Sequence, residues 1–219
     1  MANKADLVIQ QVKAQKLMPL FYHQDMEVCI AVIDTIYKSG IKQVEFTNRG
    51  ESALNNFSEL IQLKDQRWPG LLLGIGTIKS KEEAQTFISA GADFIVCPGM
   101  NPEVGKLVHE AGLLWIPGCM TATEFMMAEQ NGARLAKLFP GSLVGPSYLK
   151  GMREVFPKLM FMPTGGVEVT EENLSAWFKA GASVVGLGSK VISAEDFATK
   201  NYAGIETKLK TAIELIKNL

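Results

Sequence analysis

Short apolar segments alternate with amphipathic helical segments along this sequence, and the alternation predicts an α/β fold. Eight apolar segments recur about every 20 to 30 residues, and eight parallel strands close a TIM (β/α)8 barrel. Several helical segments end at a glycine, where a left-handed turn leads the chain into the next strand. We therefore expect one barrel domain, residues 1–219, with an additional N-terminal helix.

The expected strands are short apolar runs that end at glycine, proline or polar residues. They cover residues 17–21, 41–46, 71–74, 94–97, 113–116, 135–139, 160–162 and 183–187. The expected helices carry apolar residues at helical spacing and cover residues 5–15, 25–40, 51–66, 80–91, 102–111, 122–130, 146–155 and 170–180, with further helices at the C-terminus. The helix at residues 5–15 precedes the first strand and is expected to cover the barrel.

An open doubly wound sheet is the structural alternative for the same alternation. Such a sheet normally carries a GxGxxG phosphate loop after its first strand. The segment Phe21-Tyr22-His23-Gln24, which follows the first expected strand, contains no glycine. The sequence therefore favours the barrel.

The composition argues against several classes of partner. Lys and Arg total 22, Asp and Glu total 23, and no basic run stands out, so no nucleic-acid partner is expected. No stretch of about 18 apolar residues occurs, so no membrane partner is expected. Cys29, Cys97 and Cys119 lack CxxC spacing and are expected to be free thiols in the cytoplasm. His23 and His109 are far apart in the pattern and His109 lies in an expected helix, so no metal is expected. No other cofactor is expected.

Lys137 lies inside a segment that otherwise has the pattern of a buried strand. Because side chains alternate along a strand, Leu135, Lys137 and Phe139 share one face. Burial between two apolar side chains disfavours a charged ammonium and favours the free amine, which attacks carbonyl carbons. Lys137 is therefore a candidate Schiff-base lysine. The alternative is a lysine at a strand end whose ammonium reaches solvent.

A second group of polar residues lies at the end of the second expected strand. Glu45, Thr47 and Arg49 occupy alternate positions, so all three are expected to point into the barrel mouth. A glutamate there can transfer protons, and an arginine can hold a carboxylate in a bidentate pair. The alternative is that Glu45 and Arg49 only bridge each other at the rim.

Glycine-rich segments end three of the expected strands. Gly74-Ile75-Gly76-Thr77 ends the third, and its glycines let a ligand approach the backbone, although such a segment is often only a turn. Pro163-Thr164-Gly165-Gly166 and Gly186-Leu187-Gly188-Ser189 end the seventh and eighth strands, which are neighbours in a closed barrel. Their backbone amides can form a phosphate-binding nest. The alternative is two glycine turns without a ligand.

Six short motifs follow one another on successive expected strands. They are Glu45-x-Thr47-x-Arg49, Gly74-x-Gly76-Thr77, Cys97-Pro98-Gly99, Pro117-Gly118, Lys137-x-Phe139-Pro140 and Pro163-Thr164-Gly165-Gly166. In this order the chain resembles the 2-keto-3-deoxy-6-phosphogluconate / 4-hydroxy-2-oxoglutarate aldolases over nearly its whole length. The resemblance implies a class I aldolase on a TIM barrel, usually a homotrimer, acting in carbohydrate metabolism such as the Entner–Doudoroff route.

The resemblance also implies a role for individual residues. Lys137 would form the Schiff base, and Glu45 would be the catalytic acid and base. The implied substrate-binding residues are Arg49, Thr77, Pro98, Phe139 and Thr164. The implied phosphate-binding residues are Gly165, Gly166, Gly188 and Ser189.

Two positions depart from the pattern of the resembled aldolases. Those proteins commonly have Gly-Gly-Ser-Trp after strand eight, where this chain has Leu187-Gly188-Ser189-Lys190. Gly50 also stands where a threonine often follows the arginine. The phosphate end of the substrate is therefore expected to be held differently, with Lys190 as an added cation.

The expected reaction is retro-aldol cleavage of a small 2-keto acid. The resemblance implies cleavage of 2-keto-3-deoxy-6-phosphogluconate to pyruvate and glyceraldehyde 3-phosphate, of 4-hydroxy-2-oxoglutarate to pyruvate and glyoxylate, or of both. A galactonate-derived phosphorylated substrate is one alternative. A phosphate-binding barrel synthase or isomerase, in which Lys137 stays charged, is another. A non-catalytic barrel that only binds a sugar phosphate is the third.

Overall fold

The predicted barrel is present in the computed structural model, which describes residues 3–219. Its strands are β1 (Leu17–Phe21), β2 (Gln43–Thr47), β3 (Leu72–Gly76), β4 (Phe94–Val96), β5 (Leu114–Ile116), β6 (Gly118–Cys119), β7 (Leu135–Leu138), β8 (Met160–Pro163) and β9 (Val185–Leu187). All neighbouring strands pair in parallel, in the order β5-β4-β3-β2-β1-β9 and in the order β6-β7-β8.

Two links join these two sheets into one closed ring. β5 and β6 are halves of the fifth barrel strand, separated only by Pro117, which has no N–H to donate to the ladder. Thr164, directly after β8, forms a parallel bridge with Gly186 of β9. β7, β8 and β9 are therefore the sixth, seventh and eighth barrel strands.

Helices form the outer layer and close one end of the barrel. They are α1 (Lys4–Gln15), α2 (Met26–Lys38), α3 (Ala53–Arg67), α4 (Lys81–Ser89), α5 (Pro102–Glu110), α6 (Ala122–Gln130), α7 (Gly141–Val155), α8 (Glu171–Lys179), α9 (Ala194–Ala198) and α10 (Tyr202–Lys217). Asp25 and Ser80 cap α2 and α4, and each side chain accepts from a backbone N–H of the first turn. None of the helices within the described range is long and apolar enough to cross a bilayer.

Helix α1 closes the N-terminal end of the barrel, so the site has to open at the other end. Its buried side chains pack with residues of the barrel interior: Ala5, Val8, Ile9 and Val12 contact a cluster that contains Met18, Leu135, Met162 and Val184. Leu7 of the same helix is 43% exposed and does not belong to this cluster. The additional helix predicted from the sequence is confirmed.

The two faces of β7 pack as the alternation predicts. Leu135 belongs to the cluster inside the barrel, whereas Ala136 and Leu138 belong to the cluster between the strands and the outer helices. Lys137 therefore projects into the barrel, on the same side as Leu135.

Some predicted boundaries are wrong. Residues 41 and 42 precede β2 rather than joining it, because the Ile41 N–H donates to Ile36 O and completes the end of α2. Helix α7 is kinked at Gly145, whose φ of 74° is non-helical, and the part after the kink is the helix predicted for residues 146–155. The preceding helical part from Gly141 was not predicted.

Candidate active site

Lys137 and Glu45 meet inside the barrel although 92 positions separate them in the sequence. Lys137 lies on β7, the sixth barrel strand, and Glu45 lies on β2, the second, so the two side chains come from opposite walls. Lys137 Nζ donates a hydrogen bond to Glu45 Oε1 over 3.4 Å. The barrel thus places an amine beside a carboxylate close to the C-terminal ends of the strands, where such folds carry out chemistry.

Both members of this pair are removed from bulk water. Lys137 is 5% exposed and Glu45 is fully buried, so the alternative of a lysine reaching into solvent is wrong. Lys137 Nζ also lies 5.4 Å from the centre of the Phe139 ring, within the range of a cation–π contact. A carboxylate and an amine in contact inside the barrel are the two groups that acid–base chemistry on a bound substrate requires.

Gly76 provides the space for the Glu45 carboxylate. A Cβ atom at position 76 would overlap Glu45 Oε1. The other oxygen, Oε2, is buried without a hydrogen-bond partner in the part of the chain that the structure describes. Because buried carboxylate oxygens normally accept hydrogen bonds, Oε2 is available to a hydroxyl group or water molecule inside the barrel. Sequence reasoning missed this role, since the glycine pattern indicated only a turn or a ligand approach.

Arg49 lies beyond the strand that carries Glu45. β2 ends at Thr47, which is buried and whose Oγ1 donates to Phe21 O over 3.4 Å. The Arg49 N–H donates to Thr47 O over 2.9 Å, which turns the chain, and the side chain is exposed. The predicted strand alternation therefore stops before Arg49. The alternative of a Glu45–Arg49 bridge is also wrong, because Glu45 pairs with Lys137.

The residue after Arg49 is held against Tyr22. The Tyr22 hydroxyl lies over Gly50, so a Cβ atom at position 50 would overlap it. The Tyr22 ring packs on Phe46, with ring centres 5.7 Å apart. Tyr22 therefore explains why this chain has glycine where the resembled aldolases often have threonine, and no local sequence signal pointed to it.

The remaining predicted binding residues follow the C-terminal ends of four strands. Thr77 follows β3 with a φ of 65°, a conformation that a β-branched residue rarely adopts and that costs about 1–3 kcal/mol. Such strained residues are concentrated at functional sites. Thr164 follows β8 and is buried, and Phe139 follows β7 and is half-buried. Pro98, after β4, is also half-buried.

The glycine loops after β8 and β9 are adjacent, as the closed barrel predicts. The Thr164–Gly186 bridge joins the two strands directly before the loops. Within residues 3–219, the amides of Gly166, Gly188 and Ser189 donate no backbone hydrogen bond. Gly165 lies in the same loop and, like Gly166, has a positive φ. Backbone amides on neighbouring loops that lack an intramolecular acceptor are available to bind an anion.

Lys190 is not a free cation beside these amides. Its Nζ lies 2.8 Å from Glu168 Oε1, which links the loop after β9 to the loop after β8. Both side chains are about half exposed, at 50% and 44%. The sequence singled out Lys190 but not Glu168, because nothing in the local pattern shows that the two are neighbours.

The other titratable clusters do not form a metal site. No group of three or more His, Cys, Asp or Glu side chains within the described range is arranged to hold a metal ion. His109 Nε2 lies 3.1 Å from Asn131 O, on the outer helix α5. Burial raises the pKa of the Cys29, Cys97 and Cys119 thiols to about 12, so they stay protonated at neutral pH.

The chain is similar in sequence to known aldolases. The family model for KDPG and KHG aldolase matches residues 8–208. A 2-dehydro-3-deoxy-phosphogluconate aldolase from Haemophilus influenzae is 26% identical over 218 residues, which are 99% of this chain and 100% of that protein. A 2-dehydro-3-deoxy-6-phosphogalactonate aldolase from Escherichia coli K12 is 38% identical over 124 residues, which are 56% of this chain and 60% of that protein.

A solved structure gives the same result at the level of the fold. The KDPG aldolase from Legionella pneumophila, with pyruvate captured as a covalent carbinolamine intermediate, superimposes with a TM-score of 0.84 and 25% identity. The match covers 92% of this chain and 96% of that one. The chain therefore belongs to the KDPG and KHG aldolase family of carbon–carbon lyases.

Proposed function

We propose that the chain is a class I aldolase in which Lys137 forms a Schiff base with the 2-keto group of its substrate. The Lys137 amine adds to the carbonyl carbon, and loss of water gives an iminium that withdraws electrons from the C3–C4 bond. Glu45 takes the proton of the C4 hydroxyl as that bond breaks, which releases an aldehyde and leaves a pyruvate enamine. Protonation of the enamine at C3 and hydrolysis of the imine then release pyruvate.

The observation that carries this proposal is the buried contact between Lys137 Nζ and Glu45 Oε1 at 3.4 Å. This contact supports the proposal because an amine and a carboxylate so close together can both reach one substrate carbon chain, and the unpartnered Oε2 is available to the substrate hydroxyl. The family match further favours aldol cleavage over the synthase or isomerase alternative. The covalent pyruvate adduct of the Legionella relative supports the same chemistry.

The substrate is proposed to lie across the barrel mouth. Arg49, Thr77 and Thr164 hold the pyruvyl carboxylate, while Pro98 and Phe139 line the same site. Gly165, Gly166, Gly188 and Ser189 bind a phosphate at the far end, supported by the free amides after β8 and β9. The proposed substrates are 2-keto-3-deoxy-6-phosphogluconate and 4-hydroxy-2-oxoglutarate.

A second candidate substrate is the galactonate-derived phosphorylated keto acid. The Escherichia coli relative named for that substrate is 38% identical over 124 residues, whereas the Haemophilus influenzae phosphogluconate aldolase is 26% identical over 99% of this chain. The two sugars differ in the configuration at C4, whose hydroxyl Glu45 is proposed to deprotonate. Comparing kcat/KM for the two epimers identifies the preferred one.

Replacing the proposed nucleophile tests the assignment. Lys137→Met keeps an unbranched apolar stem but removes the amine, so pyruvate release should fall by roughly 10⁴-fold or more with both proposed substrates. The matched control is Lys150→Met on the exposed surface of α7, which should retain wild-type kcat. Substantial activity in a folded Lys137→Met protein would exclude the proposed mechanism.

We also propose a homotrimer, as implied by the family resemblance. Support comes from apolar side chains exposed on α6, on α7 and on the loop between β6 and α6. Leu143 is 74% exposed, Met126 46% and Met120 37%, and Tyr148 Oη donates to Met120 O, which ties α7 to that loop. Surfaces of this kind are typical of subunit contacts. Light scattering of the purified protein measures the assembly directly.

A cytoplasmic location is proposed from the cysteines. Cys29, Cys97 and Cys119 are buried and unpaired, which suits a reducing compartment. Cell fractionation with an antibody against the native protein tests this location.

A further inference from the structure

The two loops proposed to bind phosphate are joined by one ion pair of this chain. Lys190 Nζ and Glu168 Oε1 are 2.8 Å apart, and neither has a second ion-pair partner within residues 3–219. Lys190 directly follows Ser189, and Glu168 is two residues after Gly166. The positive and the negative side chain therefore each lie beside a loop whose amides are free.

The backbones that carry these charges are well anchored. Beside Lys190, the N–H groups of Val191 and Ile192 both donate to Gly188 O, and the two side chains are buried. Beside Glu168, Val167 is buried and the Glu168 N–H donates to Asn173 Oδ1 over 2.9 Å. The two side chains that extend from these backbones are half-exposed at their charged ends.

A bound phosphate changes the electrostatic situation of this pair. The dianion adds a second acceptor for the Lys190 ammonium and is repelled by the Glu168 carboxylate. The backbone amides supply the geometry of phosphate binding. The net charge of the Lys190–Glu168 pair changes the affinity for phosphate. With both side chains present the pair contributes no net charge.

We propose that Glu168 is a specificity-determining residue that weakens phosphate binding by neutralising Lys190. This inference rests on the proposed aldolase function and concerns its substrate class. The balanced pair lets one site accept both a phosphorylated keto acid and a shorter one without phosphate. Lys190 alone would bias the enzyme toward the phosphorylated substrate.

The proposal predicts that KM for the phosphorylated keto acid follows the net charge of the Lys190–Glu168 pair. Glu168→Gln leaves a net positive charge and should lower KM for the phosphorylated keto acid by about three- to tenfold at low salt. Lys190→Ala leaves a net negative charge and should raise this KM by a similar factor. The double variant, Glu168→Gln with Lys190→Ala, restores neutrality, so its KM for the phosphorylated keto acid should be close to the wild-type value. KM for 4-hydroxy-2-oxoglutarate should stay nearly constant in all three.

The experiment compares these three variants with wild type at low and at high salt, where screening should reduce the differences. Glu206→Gln is the matched control, because it breaks a Lys210–Glu206 pair of 2.6 Å on the outer helix α10. This control should leave KM unchanged for both the phosphorylated keto acid and 4-hydroxy-2-oxoglutarate. If both single variants and the double variant all raise KM for the phosphorylated substrate, the pair only holds the loops together and the proposal is wrong.

A titration with inorganic phosphate separates this proposal from the proposed catalytic function. Phosphate affinity, measured by calorimetry, should follow the same charge ranking whether or not the protein cleaves either substrate. Identical phosphate affinity in all four proteins would contradict the role of Glu168 even if catalysis is confirmed. If the four proteins follow the expected order of phosphate affinity but none of them forms pyruvate, the proposed reaction is contradicted and the role of Glu168 is not.

Discussion

At the scale of single residues, the position of the Glu45 carboxylate depends on Gly76 having no side chain. Gly76 leaves the space that Oε1 occupies, and the same oxygen accepts the hydrogen bond from Lys137. One methyl group at position 76 would therefore move the carboxylate relative to the amine. Gly76 is part of the site although it carries no functional group.

Gly76→Ala should slow cleavage by roughly 10²–10⁴-fold, the usual contribution of a positioned acid or base, and Glu45→Gln should give a similar loss. Both variants should still form the imine with pyruvate, because Lys137 is intact. The readouts are kcat for pyruvate release and, separately, borohydride-trapped pyruvate.

Gly151→Ala is the matched glycine control, since a Cβ at that position meets no atom within 4 Å. It should leave kcat unchanged. Wild-type turnover in Gly76→Ala would show that Glu45 is not positioned as the structure indicates, or that another group moves the proton.

At the scale of elements, the short helix α9 is fixed by a buried carboxylate. Asp196 Oδ2 accepts hydrogen bonds from Lys208 Nζ over 2.7 Å and from the backbone and side chain of Ser193. Burial opposes ionisation of Asp196, but these hydrogen bonds outweigh it and lower the pKa to about 2. Because α9 follows the loop that carries Gly188 and Ser189, this network supports the proposed phosphate site.

The lowered pKa predicts a pH-dependent contribution to stability. A carboxyl whose pKa falls on folding stabilises the native state above its unfolded pKa, and the contribution is lost as pH falls through the folded pKa. The window for Asp196 therefore runs from the ordinary value of 3.8 down to about 2. Asp196→Asn should lower the free energy of unfolding near neutral pH by roughly 2 kcal/mol, and the difference should shrink across that window.

Urea unfolding at several pH values measures this difference. Asp65→Asn, which replaces an exposed carboxylate of α3 with no ion pair in the described part of the chain, should show no comparable trend. A loss in Asp196→Asn that stays constant down to pH 2 would mean that the side chain acts through neutral hydrogen bonds alone.

The sequence predicted elements better than their ends. The predicted helices at residues 25–40 and 80–91 begin at the residues that cap α2 and α4, because capping is a local interaction between a side chain and the next turn. The kink at Gly145 was missed, since Pro146 alone is compatible with the start of a helix. The expected alternation fails at Arg49, because the backbone turns directly after Thr47.

At the scale of the whole molecule, barrel closure brings the proposed catalytic residues together. The repeat predicted the eight strands, and the alternation on β7 predicted that Lys137 faces inward. The contact between Lys137 and Glu45 follows only once strands two and six are known to be opposite. The Tyr22–Gly50 and Glu168–Lys190 contacts could not be predicted, since they depend on how loops of different units pack.

The most direct test of the central claim is to identify the lysine that binds pyruvate. The protein is incubated with pyruvate and borohydride, digested, and mapped by mass spectrometry. We expect one stable reduced adduct on Lys137, because it is the buried amine beside Glu45 at the barrel mouth. An adduct on Lys150 or Lys190, with none on Lys137, would contradict the assignment of the nucleophile and with it the proposed mechanism.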